Sequence, residues 1–230
     1  GSSTMRILRL FLRKPATYNE KEAGNPMPTE VLGVLLAGGR SSRMGGGDKC
    51  LQKLCGQTLL SRVINRAKDQ VGPMILNANG DPTRFSSYGI PVVPDVVSGF
   101  AGPLAGVLTG LEWAAEHVPD CEYVATFATD APFLPNDLVE KLQQLINIGA
   151  GLACPTSNNR HHPVFGLWPV RERSALRDAM TEDHIRKVDV WTSHYKLGIV
   201  DFPVYPIDPF FNLNTPHDLA QAEDFLTSME

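Results

Sequence analysis

Short apolar runs alternate with amphipathic stretches along most of the chain. Residues 31–37 form an apolar run between breakers, which predicts a buried strand. Further strands are predicted over 74–78, 90–94, 123–128, 152–155, 164–168 and 196–201. Helices are predicted over 59–71, 81–88, 103–117, 135–148, 170–180 and 186–191. In 103–117, Leu104, Val107, Leu108, Leu111 and Ala115 share one face, and Pro103 suits a first helical turn. In 135–148 the inward set is Leu138, Leu142, Leu145 and Ile146. Thr215, Pro216 and Asp218 form a capping-box-like start to a last helix. This alternation predicts an α/β fold of Rossmann-like type, three layers α/β/α around a mostly parallel sheet.

Ligands of such sheets bind outside the carboxyl ends of the strands. The polar residues of this chain collect at those ends. After the first strand comes Gly38-Gly39-Arg40-Ser41-Ser42-Arg43-Met44-Gly45-Gly46-Gly47-Asp48-Lys49. Glycines let a backbone approach a ligand, and successive N–H groups form an anion-binding concavity. With two arginines and a lysine, the loop suits a nucleoside triphosphate. It is not a Walker loop, because Lys49 follows Asp48 and precedes Cys50; nor does it carry the spacing of a dinucleotide fingerprint.

Asn77 and Asn79 end the second strand, Asp95 the third and Asp130 the fourth. Asn77 and Asn79 can read a base edge or ribose, or serve a turn. Asp95 suits a ligand or a turn equally. Asp130 beside a triphosphate suits Mg²⁺, which takes one or two carboxylates plus phosphate oxygens and water; alone it also reads as a turn residue before Pro132. The cluster from Gly99 to Gly106 opens helix 103–117, whose amides face an anion or simply make a tight connection. His161-His162-Pro163 is expected in a surface turn, and no Ser-His-Asp arrangement stands out.

The loop resembles the signature of nucleotidyltransferases that activate sugars, polyols and cofactors. Ala37-Gly38-Gly39, and Met44-Gly45-Gly46 before Asp48-Lys49, make it similar to the molybdenum cofactor guanylyltransferases. The likeness runs from about Thr29 onward. It takes in Asn77, Asp95, Gly102, Gly106, Asp130 and Phe210-Phe211-Asn212-Leu213-Asn214-Thr215-Pro216, in order. The resemblance implies transfer of GMP from GTP to the terminal phosphate of molybdopterin, with Mg²⁺ as cofactor. It makes Lys49, Arg43 and Asp130 the expected catalytic residues, Asp130 also holding the metal. It implies GTP contacts from Leu36, Ala37, Gly38, Gly39, Lys49, Asn77, Asp95 and Asp130. It puts Gly46, Gly102, Gly106, Asn212 and Asn214 on the pterin side. Molybdenum-insertion proteins and molybdoenzyme chaperones are the implied protein partners. A cytidylyltransferase or sugar-phosphate nucleotidyltransferase stays open as an alternative, as does a non-catalytic nucleotide-binding role; Ala37-Gly38-Gly39 differs from the Ala-Ala-Gly favoured by cytidylyl relatives.

The chain has 230 residues and a formal net charge of −4. One domain over 29–230 is expected, and no global attraction to nucleic acid or anionic membrane. No apolar run reaches a membrane span. Cys50, Cys55, Cys121 and Cys154 lack metal-site spacing and read as free thiols of a reducing compartment, so a cytoplasmic location is expected; a monomer is expected separately. Cys50 and Cys55 flank the loop, where oxidation is expected to impair activity. Residues 1–28 are expected to be a disordered extension, with Gly1-Ser2-Ser3-Thr4 an expression-vector remnant and Met27 an alternative start.

Overall fold

A computed structural model describes residues 31–38, 48–99 and 102–229. The expected extension 1–28 lies outside the described residues.

The sheet grows from β1, Val31–Leu36, an apolar strand buried on both faces. It pairs in parallel with β4, Met74–Asn77, and with β6, Tyr123–Ala128. β4 carries β5, Val92–Val93, at the sheet edge, again in parallel. Beyond β6 runs β9, Leu167–Pro169, antiparallel to both β6 and β7, Leu152–Ser157. β10, Leu197–Asp201, closes that side in parallel with β7, and β8, Arg160–His161, folds back on β7. The strand order is therefore β10-β7-β9-β6-β1-β4-β5.

Alternation along β1 divides the interior. Val31 and Leu35 face a core with α1, Leu59–Ala67, and α3, Leu138–Asn147. Leu32 and Val34 face the opposite core with α2, Pro103–His117, α4, Arg173–Thr181, and α5, Val188–Thr192. These are the three layers the sequence pattern predicts. A smaller cluster of Leu54, Leu59, Phe133, Leu213 and Ala222 seats α6, Pro216–Thr227, beside the first core. The α6 capping box is complete: Thr215 accepts from the Asp218 N–H, and the Asp218 carboxylate accepts from the Thr215 N–H.

Several predicted elements change. The segment 164–168 is a 3-10 turn, Pro163–Phe165, followed by β9. Pro163 has no N–H for a ladder, and Phe165 N closes the turn on His162 O at 3.0 Å. The predicted helix 59–71 stops at Ala67, and 135–148 begins only at Leu138, after Pro135. A β-hairpin at the sheet's flank has no counterpart in the sequence reading: β2, Lys53–Leu54, pairs with β3, Gln57–Thr58. Its two-residue turn has positive φ at Cys55 (48°) and Gly56 (79°), the hand that matches strand twist.

Candidate active site

The sheet register assembles the site. Val93, Asn77, Leu36 and Ala128 stand side by side across four strands. Two residues further along each chain lie Asp95, Asn79, Gly38 and Asp130. All four line one cleft of about 760 Å³ at the carboxyl edge of the sheet, with Leu36, Ala37, Lys49, Asn77, Gly102 and Thr129.

One wall is carboxamide and carboxylate. Asn77 Nδ2 donates to Asp95 Oδ1 at 2.9 Å and to Val93 O at 3.2 Å. Asn79 Nδ2 donates to Asp95 Oδ2 at 2.8 Å, while the Asp95 N–H donates to Asn79 Oδ1 at 2.9 Å. Asp95 is thus held by both asparagines.

The other wall is ionic. Lys49 Nζ lies 2.6 Å from Asp130 Oδ2 and also donates to Asn214 Oδ1. These side chains are part-buried, Lys49 12 % and Asp130 25 % exposed. Thr129 Oγ1 donates to Leu36 O at 2.9 Å, tying the end of β6 to that of β1. The Asp130 carbonyl accepts from Leu213 N at 2.9 Å, which brings the Asn212–Asn214 segment to the cleft.

Between the walls opens α2. Gly102 caps it at φ 129°, a conformation costly for any side chain, and Pro103 fills the first turn. Gly102 and Pro103 line the cleft, so the positive end of the α2 dipole lies at its edge, an environment for an anion.

Most expected site residues converge here: Leu36, Ala37, Gly38, Lys49, Asn77, Asp95, Gly102 and Asp130. Gly39, Arg43 and Gly46 lie outside the described residues. Gly106, expected on the pterin side, does not line the cleft. It is buried one turn into α2, where a Cβ would stand 2.4 Å from Asn77 Oδ1 and 2.5 Å from Leu36 Cδ2. Its role is to let the helix backbone approach Asn77 and Leu36 closely. Asn214 meets Lys49 and Asp130, so it belongs to the ionic wall; Asn212 Oδ1 is buried without a hydrogen-bond partner among the described residues.

His162 is not in a surface turn. It is 8 % exposed and stacks on Phe210 with ring centroids 4.7 Å apart. Ser157 Oγ donates to Asp208 Oδ1 at 2.8 Å, so the proton between His162 Nε2 and Ser157 Oγ, 2.7 Å apart, sits on the imidazole. Burial holds this imidazole below its ordinary value, with Asp208 opposing. Asp208 also accepts from Phe210 N, so this network anchors the segment that leads to Asn212 and Asn214. Cys50 is likewise buried, and burial with Asp48 beside it pushes the thiol up to about 12. That removes the reactive thiolate the oxidation idea requires at Cys50, though Cys55 is exposed.

Sequence reasoning missed Arg84. Its Nε donates to Asp48 Oδ2 at 2.5 Å and its Nη2 to Asn79 O at 2.7 Å; Nη1 donates to Asp81 O. Only the side-chain partner Asp48 had a readable signal, its place before Lys49.

Residues 33–195 match the model of the MobA-like NTP transferase domain. A molybdenum cofactor guanylyltransferase from Bradyrhizobium sp. (strain ORS 278) is 53 % identical over 203 residues, covering 88 % of this chain and 95 % of that protein. The chain belongs to the MobA-like NTP transferase family. It is accordingly a nucleotidyltransferase. Among solved structures, molybdopterin-guanine dinucleotide biosynthesis protein A from Archaeoglobus fulgidus superposes with a TM-score of 0.67 at 22 % identity, over 86 % of this chain and 100 % of that one. A Mycobacterium tuberculosis protein solved in complex with manganese has a TM-score of 0.60 at 16 % identity, over 85 % of this chain and 98 % of that one. These two likenesses bear on the fold, and they agree with the three-layer mixed sheet. Among the described residues no helix is long and apolar enough to cross a membrane.

Proposed function

We propose that this chain transfers GMP from GTP to the terminal phosphate of molybdopterin and releases pyrophosphate. One observation carries the reading: a single cleft sets the Asn77–Asp95–Asn79 wall opposite the Lys49–Asp130–Asn214 wall, in a chain 53 % identical to a named guanylyltransferase. Guanine and ribose lie along Leu36–Gly38 and the asparagine wall. Asp95, fixed by two carboxamides, is left to accept from base or ribose donors. The triphosphate runs toward Lys49 and the N-terminal end of α2. Asn212 and Asn214 face the pterin substrate.

The chemistry asks little covalent work of the protein. An oxygen of the acceptor phosphate attacks the α-phosphorus; the bond from that phosphorus to the bridging oxygen breaks, and pyrophosphate leaves. The nucleophile is already ionised near neutral pH, so no general base is needed. Holding the two phosphates in line removes orientational entropy, and Lys49 with Arg43 offsets charge gathering on the leaving group.

The reading includes Mg²⁺. Among the described residues, no three or more His, Cys, Asp or Glu side chains gather as a metal site. The donor set is one carboxylate, Asp130, which fits an ion whose other ligands are phosphate oxygens and water. The Lys49 ammonium already rests on that carboxylate, marking it as a seat for positive charge. When bound, the ion supplies neutralisation of phosphate charge. The fold neighbour solved with manganese is in keeping with a divalent ion.

Residues 29–230 act as one domain in this reading, a cytoplasmic monomer that passes its product to molybdoenzyme partners. The test is pyrophosphate release with Mg²⁺ and molybdenum-loaded molybdopterin, comparing GTP, CTP and ATP. Pterin-dependent release with GTP alone supports the proposal; release with CTP transfers the chain to cytidylyl chemistry. Asp130→Ala and Lys49→Ala should each lose most turnover while remaining folded. Wild-type rates in either variant remove that residue from the mechanism.

A further inference from the structure

Lys49 and the Asn79–Asp95 pair stand on different walls of the cleft and come from separate chain segments. Of the backbone bonds of the Lys49 turn, Leu51 N to Asp48 O and Gln52 N to Lys49 O are local, and Leu59 N to Gln52 O ties the turn to α1. None of these bonds reaches Asn79 or Asp95 on the opposite wall. The Arg84 guanidinium does. Three of its nitrogens reach three acceptors: the Asp48 carboxylate, the Asn79 carbonyl and the Asp81 carbonyl. Its Cζ lies 4.5 Å from the centroid of the Phe85 ring, and Phe85 is buried in the first core. The fork is therefore anchored to the body of the domain while its edges hold both segments.

From this geometry we infer that Arg84 is a positioning residue that clamps the Lys49 segment to the Asn79–Asp95 wall, setting the width of the nucleotide cleft. This rests on the nucleotide reading above but concerns a residue outside the cleft lining. The argument is one of directions. Asp48 is bonded directly to Lys49 in the chain, and Asn79 is the residue whose side chain holds both the carboxylate and the backbone N–H of Asp95. A displacement of Asp48 relative to Asn79 thus changes the span between the ammonium that meets phosphates and the carboxylate that meets the nucleoside. A planar fork with fixed donor directions resists that displacement. A lysine has one charged centre and cannot serve three divergent acceptors from a stacked position. Asp81 adds to the rigidity: its carboxylate accepts from both Thr83 N and Thr83 Oγ1, so the carbonyl that Arg84 grips belongs to a fixed turn.

The experiment has two arms, so that failure of the clamp and failure of the nucleotide reading can be told apart. Amide hydrogen exchange is measured on the ligand-free protein for wild type, Arg84→Lys, Arg84→Ala and Asp48→Asn. The clamp predicts faster exchange in both 48–52 and 79–82 for every variant, with the strands β1 and β6 unchanged. Unchanged exchange in either segment overturns it, whatever the protein's substrate. In the second arm, steady-state kinetics should show the nucleotide KM rising roughly tenfold with a smaller fall in kcat, since Arg84 itself touches no reacting atom. Arg84→Ala with Asp48→Asn should cost no more than Arg84→Ala alone, because Asp48 acts on the wall through Arg84. Added guanidinium ion should restore part of the Arg84→Ala loss while leaving Asp48→Asn unaffected. A fully additive double variant, or an equal response of both variants to guanidinium, overturns the clamp. If the wild type turns over no nucleotide while the exchange pattern appears, the nucleotide reading fails and the clamp stands.

Discussion

The Lys49–Asp130 contact sets a protein cation on the one carboxylate assigned to the metal, and this makes the two cations competitors. Replacing Lys49 with Met keeps a chain of similar length and removes the charge. Two unit charges about 4 Å apart attract by about 4 kcal/mol at the effective dielectric suited to a protein surface. Exposed pairs retain well under ~1 kcal/mol of this after desolvation and screening. The present pair, 2.6 Å apart with side chains 12 % and 25 % exposed, lies between those limits. A net competition of about 1–2 kcal/mol corresponds to roughly 5- to 30-fold in affinity. Lys49→Met without nucleotide should therefore bind Mn²⁺ about tenfold tighter than wild type, read by electron paramagnetic resonance of free ion and by calorimetry. Reciprocity adds a second expectation: the gain in metal affinity that nucleotide gives the wild type should shrink in the variant, because the ammonium no longer has to be drawn away. Equal or weaker metal binding by a folded Lys49→Met protein would refute the competition.

Gly106→Ala should leave the fold intact yet weaken nucleotide binding. A Cβ there meets Asn77 Oδ1 and Leu36 Cδ2 far inside contact distance, and overpacking of this kind costs about 1–3 kcal/mol, measurable by urea denaturation alongside nucleotide KM. Below pH 6.5 stability should decline through His162. Its folded value lies beneath the ordinary one, so the unfolded chain takes the proton first; the loss begins near 6.5 and is complete below the folded value. His162→Gln should flatten that acid limb in thermal melts across pH 4–8, and an unchanged limb would contradict the assignment. Iodoacetamide at pH 7.5 should label Cys55 and spare Cys50 and Cys154, whose thiols burial pushes up to about 12 and 11, as peptide mapping would show. Labelling of Cys50 in the native protein would show that the buried description is wrong.

The sequence carried the layers because burial leaves a periodic trace. Helix 103–117 and strand 123–128 match the structure residue for residue, the helix by its period and the strand by a short apolar run buried on both faces. Asp130, Asp95 and Asn77 were legible because a polar residue directly after a buried strand in an α/β pattern has one place to go. The hairpin at 53–58 was hidden, since two-residue strands have no period to read. The strand expected at 164–168 mistook apolarity for extension, where Pro163 opens a 3-10 turn through Phe165 before β9. His162 looked like a turn residue because its burial comes from Phe210, 48 positions away and invisible to local pattern. Arg84 could not be found because two of its three acceptors are backbone carbonyls, which any residue has.

The contact between Lys49 and Asn214 joins residues 165 positions apart. Its consequence lies in folding. The cleft draws on segments from residue 36 to residue 214, so no sub-assembly of the first hundred residues contains a working site. Recovery of activity after dilution from denaturant should lag behind recovery of secondary structure and coincide with docking of the last quarter of the chain. Ligands that occupy the cleft should then raise the free energy of global unfolding rather than protect one local patch, in proportion to the logarithm of their concentration. Catalysis in this molecule is a report that the whole chain has been assembled.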